Sequence, residues 1–560
     1  MLTFDKTLIP APAAPAAVMN ISPSSDKFQN ITKTLVWTLV GVGIFLRLYH
    51  YFNNRSLFID EVYLSVSLIK MNFAELTSPM LEYEQKAPVG FLWLVKLSVV
   101  LFGKKEMALR LVPLLAGIAS LFVFLPVARY FLKPLGVVLA VALMALAPVL
   151  VYHSVEIKQY CTEMLATVVA LYFYMRYHQR QDYLSLLLWG LWGALMLWFS
   201  FSVIFVLAGM AIGLSLHYML KRDWKMLFLS LIPFGFWLFS FGLNFYLFTY
   251  QHTDSGWLVE WFRLRNGFLP QNPSAKDLVI WVLQAIYSLL THPLGVLWNA
   301  NAIHSLGNPL LKLVLKMPLV LFLFWGTGLY MFFKHNRKAF LVLSLPLVLT
   351  LFAALIEKYP FYERLTVFLA PLLILMFAHG CATITSYFPA RAKWRWIFPV
   401  ILLLWPLWKS VDQVMDTHQF GDRKMSFYRE GILYLKERMQ PNDLVYVYWN
   451  ARHYYNYYNE AYNLNLGAIQ LNDYRLVSKS PEEYLERLRP EYSAVAQASR
   501  VWLVHDPLLK IDIGEYDHQP PWYNEEANAA GALLCKDIAS MGKQEADSYV
   551  RLNSAVRLFK

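Results

Sequence analysis

The chain has 560 residues, of which 57% are hydrophobic and 16% aromatic, and its mean hydropathy is +0.39. This composition excludes an ordinary soluble protein and predicts a polytopic α-helical membrane protein. The formal net charge of +12 does not indicate nucleic-acid binding, because the basic residues form short clusters between apolar runs. The three cysteines have neither metal-ligand spacing nor a disulfide pattern, and Cys161 and Cys381 fall in apolar segments.

The chain begins with a polar stretch rich in Ala and Pro, residues 1–33, which we interpret as a disordered cytoplasmic tail. The first apolar run, residues 34–52, is long enough to cross a bilayer. The next run, residues 87–103, is shorter and carries Lys96 near its middle, where a lysine costs roughly 2.5–3.5 kcal/mol on insertion. We therefore interpret it as a helix that lies in the outer interface without spanning.

The later loops then sort into two groups by their lysine and arginine content. Basic clusters recur on one side, whereas the short loops of the other side carry few positive charges. The positive-inside rule therefore predicts about eleven spans in the cytoplasmic (inner) membrane, with the N-terminus inside and the C-terminal part outside. The later spans are predicted at 109–128, 136–153, 162–175, 184–200, 202–219, 226–249, 317–333, 339–356, 365–387 and 396–411.

This topology predicts a membrane module over residues 34–412, with outer loops at 53–108 and 250–315. Residues 413–560 have a different character and predict a small soluble α/β domain on the extracytoplasmic side. Within these regions we predict helices at 277–290 and 428–439 and strands at 444–449, 501–504 and 548–552.

Two adjacent carboxylates, Asp60 and Glu61, follow the first span directly. Charged groups at membrane depth are expensive and tend to be functional. On a helix the two side chains would be about 100° apart, so one could face a cavity while the other caps the helix or meets a cation. The alternative is that both simply suit the dipole of a helix N-terminus.

A second polar cluster runs from His153 to Glu163 and, by the predicted topology, lies on the same side of the membrane. Glu156, Gln159, Tyr160 and Glu163 have the spacing i, i+3, i+4, i+7, which predicts that they share one helical face. Two carboxylates on such a face are poorly suited to contact lipid. The alternative to a functional site is an interhelical hydrogen-bond cluster.

Two arginines, Arg110 and Arg364, each open a predicted span at the outer interface. A buried arginine there can hold a phosphate with two hydrogen bonds. The alternatives are that Arg110 snorkels to lipid head groups and that Arg364 anchors an aromatic belt. The polar stretch around Gln85 is either a further part of this site or a solvated loop.

Five short motifs follow one another along the chain: Asp60-Glu61, Glu84-Gln85-Lys86-Ala87-Pro88, Leu109-Arg110-Leu111-Val112-Pro113, Glu156-x-Lys158-Gln159-Tyr160 and Tyr359-Pro360-x-x-x-Arg364. As an ordered set they resemble the C-type glycosyltransferase superfamily. The nearest likeness is to the protein O-mannosyltransferase and lipid A aminoarabinose transferase branch, in particular to bacterial lipopolysaccharide galacturonosyltransferases. The resemblance covers about 34–412. It implies a polyprenyl-phosphate-linked sugar donor, a lipid, glycan or protein acceptor, and transfer on the outer face of the membrane.

The chemistry of such a transfer agrees with these residue types. Asp60 is the expected general base for an acceptor hydroxyl, with Glu61 and Glu156 as supporting carboxylates. The leaving phosphate needs cations, and Arg110, Lys158 and Arg364 are the candidates. A single displacement would invert the anomeric centre. The expected supporting residues are Gln85, Gln159, Tyr160, Glu163 and Tyr359.

A divalent metal such as Mg²⁺ or Mn²⁺, held by Glu61 and Glu156, is a further hypothesis for neutralising the phosphate. Relatives often carry arginine where this chain has Lys158, which leaves the role of that residue open.

Two other functions remain as alternatives. A transporter or lipid flippase would use intramembrane carboxylates to relay protons, although such proteins usually show internal repeats and broken helices at mid-membrane. Here the acidic groups cluster at one face and no repeat is visible. A binding or assembly protein would instead work through the outer domain alone, and Asp60 would be dispensable.

Overall fold

The structure is a computed structural model, and it describes residues 24–78, 81–249, 256–297, 307, 309, 318–421, 424–515 and 519–560. Most of the predicted cytoplasmic tail and part of the 250–315 loop lie outside these residues. The first described helix already begins at Ser24, ahead of the predicted end of the tail at residue 33.

The first two-thirds of the described chain are almost entirely helical, as the composition predicts. The helices up to the 250–315 loop are α1 (Ser24–Asn53), α2 (Ile59–Lys70), α3 (Val89–Phe102), α4 (Glu106–Phe131), α5 (Pro134–Leu146), α6 (Pro148–His153), α7 (Tyr160–Tyr177), α8 (Tyr183–Met196), α9 (Val203–Lys221) and α10 (Trp224–Asn244). The next described helices are α11 (Gly256–Arg263), α12 (Ala275–Thr291), α13 (Leu319–His335), α14 (Arg337–Leu355), α15 (Ala370–Tyr387) and α16 (Ile397–Met415).

Each predicted span coincides with a helix, except that two helices, α5 and α6, occupy the span predicted at 136–153. Seven helical segments of the described chain are long and apolar enough to cross a membrane, and four further helices are apolar but shorter. The chain is therefore a polytopic α-helical integral membrane protein, and this prediction is confirmed. The helix predicted at 277–290 is also present, as α12.

The segment predicted to lie in the interface forms α3, which has 14 residues. At 1.5 Å per residue such a helix is about 21 Å long, short of the ~30 Å hydrocarbon core. Its Lys96 is buried and donates to the carbonyl oxygen of Leu68, 3.1 Å away. Lys96, which made this segment a poor candidate for spanning the membrane, therefore has a polar partner within the protein.

The C-terminal part contains a five-stranded sheet in the order β2-β1-β3-β5-β4. Strand β1 is parallel to β2 and β3, whereas β5 is antiparallel to β3 and β4. The small α/β domain is thus confirmed. Its strands are β1 (Leu444–Val447), β2 (Ile469–Gln470), β3 (Val501–His505), β4 (Glu545–Arg551) and β5 (Ser554–Phe559), and its helices are α17 (Tyr428–Arg438), α18 (Arg452–Ala461), α19 (Pro481–Leu488) and α20 (Ala532–Ser540).

This domain packs directly on the loop between α1 and α4. One continuous buried core contains Leu57 and Val62 from that loop region together with Tyr454 and Trp502 from the domain. Polar groups lock the same interface, since the Tyr458 hydroxyl accepts the Leu57 N–H at 2.9 Å. The first outer loop and the C-terminal domain therefore form one packed unit above the membrane helices.

Buried charge strengthens this contact. Glu106, at the start of α4, is fully buried and pairs with Arg429 of α17 at 3.1 Å. Its second oxygen accepts the Tyr462 hydroxyl at 2.8 Å. Removing one partner of such a buried pair leaves an uncompensated charge, so the orientation of the domain on α4 is strongly specified.

Helices α13 and α15 approach each other through two glycines. A Cβ atom on Gly328 would lie 1.9 Å from the carbonyl oxygen of Met376, and one on Gly380 would lie 1.7 Å from that of Phe324. Small residues allow helix backbones to meet in this way where lipid supplies no hydrophobic driving force.

We expect Gly328→Ala to lower the unfolding temperature of the detergent-solubilised protein clearly, because relieving this clash costs about 1–3 kcal/mol or more. Gly326→Ala is the matched control, since it lies on the same helix and its Cβ would meet nothing within 4 Å. Thermal unfolding followed by intrinsic fluorescence measures both variants. Equal unfolding temperatures would contradict the close approach of α13 and α15.

Candidate active site

The chain turns sharply between α1 and α2, and this turn places the two adjacent carboxylates. Phe58 is extended and ends the turn, and α2 begins at Ile59. Asp60 and Glu61 therefore stand in the first turn of α2, where their side chains diverge by about 100°. Glu61 is fully buried, whereas the Asp60 side chain is 26% exposed. The divergence predicted from the sequence is present.

Glu61 is a hub for positive and N–H groups. Its carboxylate accepts the Nε and Nη2 groups of Arg110 at 3.0–3.1 Å and pairs with Arg55 at 2.7 Å. The backbone N–H groups of Phe58 and Ile157 donate to it, each at 3.1 Å. Although burial raises the pKa of Glu61, these cations outweigh it and hold the pKa below its usual range.

The guanidinium of Arg110 is fully engaged by Glu61 and the residues around it. Its guanidinium also donates to the Arg55 carbonyl oxygen at 2.7 Å, and the residue is 1% exposed. In this arrangement its charge is neutralised by Glu61 and no surface of it faces a ligand. Glu61 and Arg110 thus join α2, α4 and the loop before α7, and their predicted roles in supporting catalysis and binding phosphate remain predictions.

Asp60 faces the other way and forms an ion pair with Arg364, which is 304 positions away in the chain. Burial alone would raise the pKa of Asp60, but Arg364 and Lys158 lower it to about 2, with Lys424 contributing. Asp60 is therefore ionised at neutral pH. Arg364 stands just before α15, 5.9 Å from the ring centroids of both Tyr160 and Trp261.

Lys158 lies beside this pair and is almost completely buried. Its ammonium group donates to Oε1 of Gln85 at 2.5 Å, which brings the Gln85 motif to the site. Burial lowers the pKa of Lys158 to about 8, and the charge of Arg364 acts in the same direction, while that of Asp60 opposes it. Lys158 is thus a cation whose charge is sensitive to mildly alkaline pH.

The loop before α7 differs from the sequence prediction. Helix α7 begins only at Tyr160, and α5 already ends at Leu146, because Pro148 interrupts the predicted span at 136–153. Glu156 and Gln159 therefore lie in a turn, and the prediction that they share one helical face with Tyr160 and Glu163 is wrong. The turn is held from outside the helix by the Ile157 N–H, which donates to Glu61.

Glu156 has its own set of partners. It is 1% exposed, and its two oxygens contact His153 Nδ1 at 2.7 Å and Lys424 Nζ at 3.0 Å. His153 Nε2 in turn lies 3.0 Å from Nε2 of His292, which follows α12. Burial by itself would raise the pKa of Glu156. Its cationic neighbours together outweigh this effect and hold the pKa well below its usual range.

Two predicted supporting residues take other partners. Glu163 accepts the Phe201 N–H at 3.3 Å, so it ties α7 to the turn between α8 and α9. The Tyr359 hydroxyl donates to the Leu365 carbonyl oxygen at 2.9 Å, which fixes the turn that carries Arg364. Tyr160 lies against Arg364, and Gln159 Oε1 is buried without a hydrogen-bond partner among the described residues.

Three residues of the site were not predicted. Arg55 has a local signal, because it precedes Asp60 by five positions in a polar turn. Lys424 comes from the connector after α16, and His292 comes from the long outer loop, so only tertiary contact brings them to Glu156 and His153. Nothing in their local sequence distinguishes them from solvated loop residues.

The charges of the site do not cancel. Five cations surround three carboxylates, which leaves about two positive charges in a largely buried setting. The cations are Arg55, Arg110, Lys158, Arg364 and Lys424, and the carboxylates are Asp60, Glu61 and Glu156. A partly buried excess of positive charge favours an anionic ligand.

The same contacts bear on the predicted metal. The oxygens of Glu61 and Glu156 are already engaged by cations and N–H groups, which leaves few lone pairs for Mg²⁺ or Mn²⁺. Among the described residues no group of three or more His, Cys, Asp and Glu side chains has a metal-binding arrangement. As arranged, these residues do not fit a divalent metal, and metal dependence stays a prediction.

Fold and site together define a polytopic membrane protein with a cationic, carboxylate-containing cluster between its membrane helices and its C-terminal α/β domain. Residues 86–243 match the sequence model of a family described as dolichyl-phosphate-mannose-protein mannosyltransferase. This segment contains Arg110, Glu156 and Lys158 but neither Asp60 nor Arg364. No curated protein matches the chain in a sequence search.

The fold is similar to that of ArnT from Cupriavidus metallidurans. The structure of that protein bound to undecaprenyl phosphate aligns with 95% of this chain and 98% of its own, at 12% identity and a TM-score of 0.52. Its apo structure aligns with 96% and 98%, at 12% identity and a TM-score of 0.51. The family match over residues 86–243 supports the resemblance that the motifs indicated, and the similarity to ArnT shows a shared fold.

We expect Glu61→Gln to destabilise the protein strongly, because it leaves Arg110 and Arg55 buried with uncompensated charge. Breaking such a buried pair typically costs about 3–5 kcal/mol. Asp60→Asn is the control, since Asp60 is partly exposed and its loss should shift the unfolding temperature far less. Thermal unfolding in detergent measures both variants.

A second variant separates charge from packing. Adding Arg110→Met to Glu61→Gln removes one of the stranded charges and should recover part of the lost stability. Additive losses in the double variant, or a Glu61→Gln protein as stable as Asp60→Asn, would contradict the role of Glu61 as the hub.

Proposed function

We propose that this protein is a glycosyltransferase that moves a sugar from a polyprenyl-phosphate-linked donor to an acceptor hydroxyl on the extracytoplasmic side of the membrane. The observation that carries the proposal is the meeting of one ionised carboxylate, Asp60, with Arg364, Lys158 and Lys424 at a membrane edge. The ligand in the ArnT structure of similar fold, undecaprenyl phosphate, has the chemistry that such a cluster suits.

The excess of positive charge matches the leaving group. A lipid monophosphate carries about −1.5 to −2 charges at neutral pH. Arg364 can hold two phosphate oxygens, and Lys158 and Lys424 add point charges. These groups stabilise the charge that develops as the bond from C1 to the phosphate oxygen breaks, so the leaving group needs no general acid. The lipid tail explains why the site lies between membrane helices.

In this proposal Asp60 is the base, because it is ionised and partly exposed. The acceptor oxygen forms a bond to C1 while its proton passes to a carboxylate oxygen of Asp60, and the phosphate departs with the electron pair of the broken bond. Since one displacement occurs with no covalent intermediate on the protein, the configuration at C1 inverts.

Donor binding and base activation are coupled through Arg364. Without donor, Arg364 neutralises Asp60 and keeps it a weak base with a pKa of about 2. A phosphate competes for the same guanidinium, and the carboxylate then loses its closest cation. Its pKa rises, and it becomes a better proton acceptor only when the donor is in place.

The orientation in the membrane follows from the far ends of the same helices. Helix α4 begins beside the site and ends at Phe131, with Arg129 in its last turn and Lys133 just beyond it, and α7 leads from the site to Arg176. The basic ends thus lie opposite the carboxylate cluster. By the positive-inside rule, this supports the proposal that the site and the C-terminal domain face the outside of the inner membrane.

We expect Asp60→Asn to lower the rate of sugar transfer by about 10²-fold or more, because an amide cannot take the proton from the hydroxyl group of the acceptor. The assay offers purified protein a panel of polyprenyl-phosphate sugars and acceptors and follows release of the free lipid phosphate. Asp547→Asn, an exposed change on β4, is the control and should remain active. Full activity of a folded Asp60→Asn protein would overturn the assignment of the base, and inactivity of the native protein with every donor would favour a transporter.

The pH dependence tests the role of Lys158. Because its pKa is lowered to about 8, it is charged below this pH and loses its charge as the pH rises through it. We expect kcat/KM for the donor to fall above pH 8, by up to about tenfold per pH unit. Lys158→Arg should remove this decline, since arginine stays protonated. An identical alkaline decline in that variant would exclude Lys158 as its source.

A further inference from the structure

A separate cavity, which Tyr63 lines, lies between α2 and the C-terminal domain. It has a volume of about 260 Å³, and no predicted site residue lines it. Its walls come from three regions of the chain that meet only in the folded protein. The lining includes the aromatic residues Tyr63, Tyr83, Trp449 and His453 and the charged residues Arg452 and Asp512.

The inner part of this cavity is aromatic. Tyr63 and Tyr83 are stacked with their ring centroids 4.5 Å apart, and the His453 ring meets Tyr63 edge-on at 5.1 Å. Trp449 adds a further apolar surface and is held from behind by the Arg475 guanidinium, 3.7 Å from its ring centroid. Flat aromatic surfaces of this kind suit the C–H face of a sugar ring.

Polar groups without partners point to a ligand. His453 is only 3% exposed, yet its Nε2 atom has no hydrogen-bond partner among the described residues. Nε of Arg452 is likewise unpartnered there. A buried polar atom left in this way is costly unless something fills its hydrogen-bonding capacity. Burial lowers the pKa of His453 to about 3, so the ring is neutral and suits a hydroxyl group.

The charges around the opening favour a neutral ligand. Asp473 is neutralised by Arg475 at 2.6 Å, and Glu82 pairs with Lys70 at 3.3 Å. Asp512 also lines the cavity and is exposed, and its carboxylate can accept hydrogen bonds from hydroxyl groups. Two of the three lining carboxylates are thus paired with cations outside the lining, and Arg452 opposes the charge of the third, Asp512. The lining therefore carries little net charge, which favours a neutral ligand over a phosphate, a uronate or a cation.

The cavity lies close to the proposed base. Tyr63 and Asp60 stand one turn apart on α2, a separation of roughly 5–6 Å between Cβ atoms. A ligand that fills the cavity therefore lies next to the site of transfer. The volume is below the ~300–1,000 Å³ of sites for drug-sized ligands, which limits the occupant to about one ring.

We propose that this cavity binds a neutral pyranose ring of the acceptor, so that the acceptor is a glycan and an adjoining hydroxyl reaches Asp60. The role as acceptor site rests on the proposed transferase function, whereas the binding of a sugar ring does not. Tyr83 stacks on the ring through the face that Tyr63 does not cover. Arg452 donates to a hydroxyl group of the ring, His453 donates or accepts there according to its tautomer, and Asp512 accepts a hydrogen bond from a further hydroxyl group.

The test is saturation-transfer-difference NMR on the full-length protein in detergent, without donor. The probes are methyl glycosides of neutral hexoses, a hexuronic acid and a hexosamine. We expect the ring C–H protons of at least one neutral hexoside to show a saturation-transfer signal, which indicates that the sugar binds. The signal should fall at least fivefold in Tyr83→Ala and in Asp512→Asn, while Asp547→Asn, on the outer strand β4 of the same sheet, should keep it.

Unfolding temperatures establish that the two cavity variants are folded. No signal from any neutral hexoside would overturn the proposal, as would a signal that both cavity variants retain. Binding of only the uronic acid or only the hexosamine would overturn the assignment of a neutral ring.

One further measurement separates this proposal from the transferase. Asp60→Asn should bind the hexoside as the native protein does, because Asp60 does not line the cavity. If the native protein binds the sugar but shows no transfer, the assignment of the cavity stands and the proposed transferase function is contradicted. If it shows transfer but does not bind the sugar, the transferase function stands and the assignment of the cavity is contradicted.

Discussion

The pairing of Glu61 with Arg110 and Arg55 is the contact on which the rest of the site depends. Three charged groups are removed from water here, at a desolvation cost of several kcal/mol per ion, and only close geometry with additional hydrogen bonds compensates for it. The Phe58 and Ile157 N–H groups supply those bonds. One carboxylate thereby fixes the start of α2, the start of α4 and the turn before α7 relative to one another.

The position of Asp60 is a consequence of this arrangement. Because Glu61 is held on one side of the first turn of α2, Asp60 must project about 100° away from it, toward Arg364 and Lys158. The two adjacent carboxylates thus differ in environment, and different roles are proposed for them. Glu61 is fully buried and saturated with donors, whereas Asp60 keeps a partly exposed surface that a substrate can reach.

The C-terminal domain is part of the site and is not an appendage to it. Its connector brings Lys424 to Glu156, and its helix α18 packs on the loop that leads into α2. The single helix α2 consequently separates two environments, a cationic cluster at Asp60 and an aromatic cavity at Tyr63. In the proposed function the first binds the donor phosphate and the second binds a sugar ring of the acceptor, so the two substrates would meet across one helical turn.

The amino-acid sequence by itself determined the membrane class, the positions of the long helices, the α/β character of the C-terminal part and the residues Asp60, Lys158 and Arg364 as a candidate set. Hydrophobic periodicity and charge are local properties, and they can be read without knowing the fold. The helical face predicted for Glu156 to Glu163 failed because contacts from Glu61, far away in the chain, hold that segment in a turn. Strand β5 was also missed, although it lies between β3 and β4 in the sheet. Only the tertiary structure decided that Arg110 pairs with Glu61, that Lys424 and His292 join the cluster, and that a cavity opens beside Tyr63. These features depend on contacts between residues tens to hundreds of positions apart, and no local pattern encodes which buried charge will find which partner.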